Sequence, residues 1–310
     1  MRITNKVLSE DFLRNLSKNL NQMQKYQNQL SSGKEVSRPS DNPLLVAKIM
    51  NMNNNILQNE QYNSNISDTL SWVKTQDTAL GDATQTLQRI NDLVIYGSNG
   101  ALSDLDRSAI VEEVKMKSEE LVDILNTNFD GRYIFGGQKT TEKPFSKADS
   151  ALIDDVLVEV VFTYNGDKND ISREISQGVE VNLISDGSKI IGEGTENENL
   201  GVLLKKVIDA LDAGASDILT GDDGLLGDLQ KATDNVVRIR TQIGAIHNRL
   251  EAAEDRNKAE NINLKELLSE REDIDIIEKY MEYMVMATTY QASLSVGAKI
   301  LQPSLLDYLG

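Results

Sequence analysis

Cysteine and histidine, the side chains of thiol, zinc and most general-base chemistry, are scarce in this sequence, while carboxylate pairs are abundant but expected by chance in a chain with 49 Asp and Glu and read as solvated faces. There is no cysteine, which excludes disulfides, thiolate–metal sites and thiol nucleophiles. The single histidine, His247, lies in Ile243-x-x-Ile246-His247-x-x-Leu250 beside an apolar seam. It reads as a structural or surface helix residue rather than a general base. Asp222-Asp223-Gly224 resembles a fragment of a calcium loop, but the alternating acidic ligands and the terminal glutamate are missing. A solvated turn is expected there. Gly192-Glu193-Gly194 lacks the third glycine and the strand–helix setting of a dinucleotide fingerprint, and no Gly-Lys-Ser/Thr phosphate loop is present. Asn65-Ile66-Ser67 matches a glycosylation sequon, a short pattern frequent by chance. The expectation is no catalytic residue, no metal, no cofactor and no enzymatic activity.

The elements that would have to position such residues point elsewhere. The chain has 310 residues and a net charge of −17. An acidic balance argues against nucleic-acid binding, which needs a basic footprint. No apolar run is long enough to span a membrane, and MRITNKVLSEDF lacks the apolar core of a secretory signal. The charge is concentrated: residues 138–230 hold eight basic and 19 acidic side chains, a net of −11, and 10 of the 20 glycines. The segments before and after are each at −3. This composition shift predicts a separate unit inserted between two similar ends.

The ends are helical in pattern. Leu13, Leu16, Leu20, Met23 and Leu30 are spaced 3, 4, 3 and 7, the stripe of a helix packed on another helix, and Gly33 suits the cap after it. Asp41 or Asn42 can cap a second helix that begins at Pro43 and runs towards Gly97. Its later part repeats Ile66, Leu70, Val73, Leu80, Leu87 and Val94, with polar Asp77, Thr84 and Asn91 alternating in the seam. Ser103 with Asp106 resembles a capping box for a helix lined by Ile110, Val114, Leu121 and Leu125. From Asp228 to Leu301 there is no proline. Ala232, Val236, Ile239, Ile243, Ile246, Leu250 and Ala253 keep a 4-3 rhythm, and Ile274, Ile277, Met281, Met284, Leu294, Ala298 and Leu301 form a further stripe. Read as one helix, this stretch would be about 110 Å long at ~1.5 Å per residue, which predicts an elongated molecule.

In the middle the period changes. VLVEVVFTY (156–164), ISREIS (171–176) and VEVNLI (179–184) alternate, and Asn165-Gly166 is a hairpin-turn signal. NLGVLLKKVIDALDA (199–213) returns to helical spacing. The predicted fold is mainly α: an elongated antiparallel helical bundle or coiled coil formed by both termini, with a small antiparallel β insertion. The domains expected are 1–40 with 275–310 as a terminal coiled-coil assembly domain, 41–137 with 196–274 as a helical rod bundle, and 138–195 as an outward β domain.

Assembly is the strongest functional signal. The last ten residues, LQPSLLDYLG, are apolar where chain ends are usually polar. The assembly interface is therefore placed on Leu13, Leu16, Leu20, Met23, Leu30, Ile277, Met281, Met284, Leu294, Ala298, Leu301, Leu305, Leu306 and Leu309.

Four segments carry a resemblance: LSSGKEVSRPSDNPLLVAKIM (30–50), GRYIFGGQKTTEKPF (131–145), RLEAAEDRNKAENINLKELLSEREDIDIIE (249–278) and YQASLSVGAKILQPSLLDYL (290–309). Together they resemble the bacterial flagellin family, in particular its hook-associated, hook–filament junction branch. Flagellins usually carry an Ala-Asp-Asp-Ala-Ala-Gly-like segment where this chain has Arg38-Pro39-Ser40-Asp41-Asn42-Pro43. The resemblance implies a structural adaptor that assembles as a ring through its terminal helices, after export through the flagellar type III channel. Implied partners are lateral copies of itself, hook-associated protein 1 on the hook side, flagellin on the filament side, and a cytoplasmic export chaperone. No nucleic acid and no membrane are implied. The competing readings are a flagellin that forms the filament itself, or a surface polymer subunit whose insertion binds or cleaves a ligand.

Overall fold

The computed structural model describes residues 5–99, 102–148, 150–153, 156–192, 199–220 and 224–300. Eight helices and eight short strands occur among them, in the order α1 (Asn5–Ser32), α2 (Pro43–Gly97), α3 (Asp104–Leu125), β1 (Asn128–Phe129), β2 (Arg132–Tyr133), β3 (Phe145–Lys147), β4 (Ser150–Ile153), β5 (Val156–Glu159), β6 (Phe162–Tyr164), β7 (Ile171–Ser176), β8 (Val179–Leu183), α4 (Ser188–Ile191), α5 (Leu200–Asp212), α6 (Ser216–Thr220), α7 (Leu225–Glu272) and α8 (Ile276–Ile300). The mainly helical class with a small antiparallel β insertion is as the sequence predicts. The chain divides into two compact units, one made of residues up to Glu60 together with those from Ala259, the other of Gln61–Lys258.

Local chemistry sets the helix ends. Gly33 follows α1 with φ +72°, a left-handed conformation that ends a helix at no Cβ cost, and its N–H donates to Gln29 O (2.8 Å). Asn42 is the cap of α2: its Oδ1 accepts from Leu45 N–H at 3.1 Å, and Pro43 takes the first helical position. Ser103 caps α3 by accepting from Asp106 N–H at 3.2 Å, while its hydroxyl donates to Asp106 Oδ2 at 2.6 Å.

The second unit holds the main core. Val73, Leu80, Leu87 and Val94 of α2, Ile110, Val114, Leu121 and Leu125 of α3, and Val236, Ile239, Ile243 and Leu250 of α7 are all buried in one cluster. The polar seam positions have partners: Arg240 binds Asp77 (2.9 Å), Asn91 donates to Gln230 Oε1 (3.0 Å), and Thr84 donates to Leu80 O (2.7 Å). The amphipathic α5 adds Leu203, Val207, Ile208 and Leu211 to the same core.

Two sequence expectations are corrected. The C-terminal arm is not one helix. It breaks between Glu272 and Ile276, where Asp275 Oδ1 accepts from Ile277 N–H (2.9 Å) and Glu278 N–H (3.2 Å) and starts α8 afresh. Asp275-x-x-Glu278 is the cap signal that a scan for proline and glycine passes over. The middle strands also pair differently. β6 does not turn at Asn165-Gly166 to meet β7; it pairs antiparallel with β3, Phe145 opposite Tyr164. β7 pairs with β8, and β4 with β5. The insertion is thus a set of two-stranded pairs rather than one sheet, anchored by Phe145 and Phe162 packed edge to face at 6.1 Å.

One buried side chain fastens this insertion to α2. Gln76 Nε2 donates to Ile134 O (3.0 Å) and Ile184 O (2.8 Å), joining both ends of the strand region to the helix. Neither Asp222-Asp223 nor Glu193-Gly194 falls within the described residues. His247 is half-buried on α7, its Nδ1 3.7 Å from Glu251.

Candidate assembly surface

In the first unit α1 and α8 pack against each other. Their direction follows from two fixed points. A Cβ on Gly297, near the end of α8, would run into the Phe12 ring near the start of α1. At the opposite end Glu35 N–H donates to Glu272 O (2.7 Å) and Ile274 N–H donates to Gly33 O (3.1 Å). The helices are therefore antiparallel.

The breaks after α1 and before α8 meet as an antiparallel bridge between Lys34 and Asp273, reinforced by the Lys34–Glu272 ion pair. Gln29, buried, donates through Nε2 to Glu35 O at 2.7 Å. Lys279 sits 5.8 Å from the centre of the Tyr26 ring and 3.1 Å from Glu282. Partial burial works against its charge, but the hydrogen bond to Glu282 and the nearby Glu35 carboxylate outweigh that, so its pKa is raised. Lys279 therefore stays charged and paired with these carboxylates at neutral pH.

The α1–α8 seam differs from the apolar stripes in the sequence. On α8 the half-buried or buried positions are Lys279, Glu282, Tyr283, Met286, Ala287, Tyr290, Ser293 and Gly297, and all but Glu282 and Ala287 follow a 4-3-4-3-4 spacing. On α1 they include Phe12, Leu16, Met23, Tyr26 and Leu30. Sequence reasoning missed Phe12, Tyr26, Tyr283, Met286, Tyr290 and Gly297. The heptad spacing was available, but a seam built from Lys, Tyr, Met, Ser and Gly does not stand out by hydropathy.

The stripe residues of α8 face away instead. Ile277 is 74% exposed, Met281 58%, Met284 47% and Leu294 45%, and Val285 beside them is 65% exposed. Ala298 is exposed as well. On α1, Leu13 is 53% exposed, whereas Leu16, Leu20, Met23 and Leu30 are half-buried. Leu301, Leu305, Leu306 and Leu309 lie outside the described residues. The structure thus divides the sequence-predicted residues into an inner set on α1 and an outer row on α8.

What this surface offers chemically is apolar area to bury. Among the described residues no group of acidic or histidine side chains could hold a metal, and no helix is long and apolar enough to cross a membrane. Ile277, Met281, Met284 and Val285 fall within about 100° of one another on one face of the helix, an exposed apolar row that marks a contact surface, whereas Leu294 lies half a turn round from Val285, on the flank of the seam.

Comparison with known proteins agrees with this geometry. The family profile of the bacterial flagellin N-terminal helical region matches residues 3–140, and that of the C-terminal helical region matches residues 226–309. Flagellar hook-associated protein 3 of Escherichia coli is 25% identical over 310 residues, covering 94% of this chain and 95% of that protein. Flagellin of Bacillus subtilis is 26% identical over 309 residues, covering 96% of each. Among solved structures, the flagellar hook-associated protein-3 of Legionella pneumophila shares the fold with a TM-score of 0.60 at 15% identity, covering 73% of this chain and 98% of that one.

Proposed function

This chain belongs to the bacterial flagellin family and is a flagellar junction or filament component, and from that premise we propose that it is the adaptor joining hook to filament. In this reading it is a non-enzymatic subunit that assembles beside copies of itself, as a ring, through its terminal helices. The observation that carries it is the outward apolar row of α8, Ile277, Met281, Met284 and Val285. Taking a side chain of this size from full exposure to burial contributes about 1.5–3 kcal/mol, so the four part-exposed side chains of each copy supply a driving force for lateral packing.

The junction, rather than the filament, is favoured by the paired prolines of Arg38-Pro39-Ser40-Asp41-Asn42-Pro43 and by the aromatic-glycine segment Tyr133-Ile134-Phe135-Gly136-Gly137. Hook-associated protein 1 below, flagellin above and a cytoplasmic export chaperone are the partners of this reading. The protein would leave the cell through the flagellar export channel and lie outside, at the hook–filament junction.

Deleting the encoding gene should leave hooks without filaments and monomeric flagellin in the medium. Filaments of normal length on such cells would overturn the proposal. The likeness to Bacillus subtilis flagellin favours one second reading, a filament subunit. Immunogold label along the whole filament, instead of one band at its base, would establish that one.

A further inference from the structure

Within the second unit a cavity of about 630 Å³ lies where α2, the β1–β2 hairpin and β7 converge. That volume is within the range of small-molecule pockets. The flagellar assembly reading gives it no role. Its floor is aromatic: Trp72 packs edge to face on Phe129, ring centres 6.0 Å apart. Trp72 is only 7% exposed, and its indole N–H has no hydrogen-bond partner among the described residues.

The rim is charged but balanced. Asp68 of α2, Asp130 in the β1–β2 turn, Arg132 of β2 and Arg173 of β7 line it, and none of the four is in an ion pair within 4.0 Å among the described residues. The turn that carries Asp130 is held open at a fixed angle: Asp130 and Gly131 have φ of 50° and 76°, and Asn128 Oδ1 accepts from Gly131 N–H at 2.9 Å.

Two carboxylates and two guanidinium groups sum to no net charge, so an ion of either sign gains no overall attraction. A neutral ligand rich in hydroxyls uses both signs, because each hydroxyl donates to a carboxylate and accepts from a guanidinium. An aromatic floor suits the C–H face of a pyranose ring. We propose that this pocket is a binding site for a neutral saccharide of one or two pyranose units.

Trp72 is the one tryptophan of the chain, so its fluorescence reports on this pocket alone. The full-length protein titrated with maltose and, separately, with N,N′-diacetylchitobiose should show a saturable change in emission with at least one of them. Arg173→Ala and Asp68→Asn, each checked for unchanged circular dichroism, should weaken that binding at least tenfold. No saturable change with either sugar at tens of millimolar would overturn the proposal. So would saturation by sodium glutamate in place of the sugars, since that would make the site an anion site. Undiminished sugar binding by both variants would move the sugar off this rim and overturn it too.

Discussion

Leu80 and Ile277 sit in helices of similar pattern, yet one is fully buried and the other is 74% exposed. The contrast holds across the two units. In the second, α2, α3, α5 and α7 enclose one another, and their stripes close into a core. In the first, among the described residues, the buried hydrophobic side chains are Ile49 and Ile56 alone, while Leu44, Met50, Leu57, Ile262, Ile276 and the α8 row remain open. A helix with one neighbour buries one stripe, and an apolar residue on its other face waits for a second molecule. Burial therefore depends on how many helices surround a stripe, not on the stripe itself.

The largest way to break this comparison is a core truncation. Leu80→Ala should cost about 3 kcal/mol of the stability of the second unit, read from the denaturant midpoint. Ile277→Ala, by contrast, should stay within about 0.5 kcal/mol in the free protein, as surface substitutions do. A comparable loss at both positions would erase the distinction.

Next, Gln76→Leu removes the donor from two backbone carbonyls and should cost about 1–3 kcal/mol. Faster amide exchange at 134–137 and 184–187 would locate the loss at the attachment of the insertion.

Gly297→Leu forces the Phe12 ring aside and should cost about 1–3 kcal/mol of α1–α8 packing, in line with overpacked contacts. Amide exchange in α1 should quicken while the second unit keeps its midpoint. Leu294→Asp makes the opposite point. Leu294 is 45% exposed, so the free protein should be stable to within about 0.5 kcal/mol, yet cells carrying it should shed their filaments. If the variant unfolded the soluble monomer instead, Leu294 would belong to an internal core.

The smallest effect is expected from Tyr164. Burial raises its phenol pKa, and the nearby Asp186 and Asp167 charges push the same way. The unfolded phenol titrates near its ordinary value of about 10. The stability it contributes is thus complete below pH 10 and is lost as pH rises through the higher folded value. Its half exposure keeps the contribution small through solvent screening. Tyr164→Phe should flatten the fall in midpoint of the second unit above pH 10, and an unchanged slope would assign that fall to other groups.

Much of this was legible in the sequence because it rests on local chemistry. Gly33, Asn42-Pro43 and Ser103 with Asp106 mark helix ends by the backbone groups they satisfy, and each marks the end it should. The core stripes of α2, α3 and α7 were visible because apolar residues at 3.6-residue spacing make one face. The cap at Asp275 was not read because it is a single carboxylate in an acidic stretch, although the expected domain boundary was drawn at 274/275, and the α8 seam was missed because its residues are chemically mixed.

The sequence by itself determined the helices, most of their caps and the apolar stripes of the second unit's core, since each depends on residues a few positions apart. Only the tertiary structure decided that β6 pairs with β3, that Gln76 holds the insertion to α2, and which side of α8 meets α1. Those outcomes depend on residues far apart in the chain competing for the same space. Hydropathy cannot rank an inner seam of Tyr283, Met286, Tyr290 and Gly297 against an outer row of Ile277, Met281 and Met284. The close approach that Gly297 allows to Phe12 settles that choice.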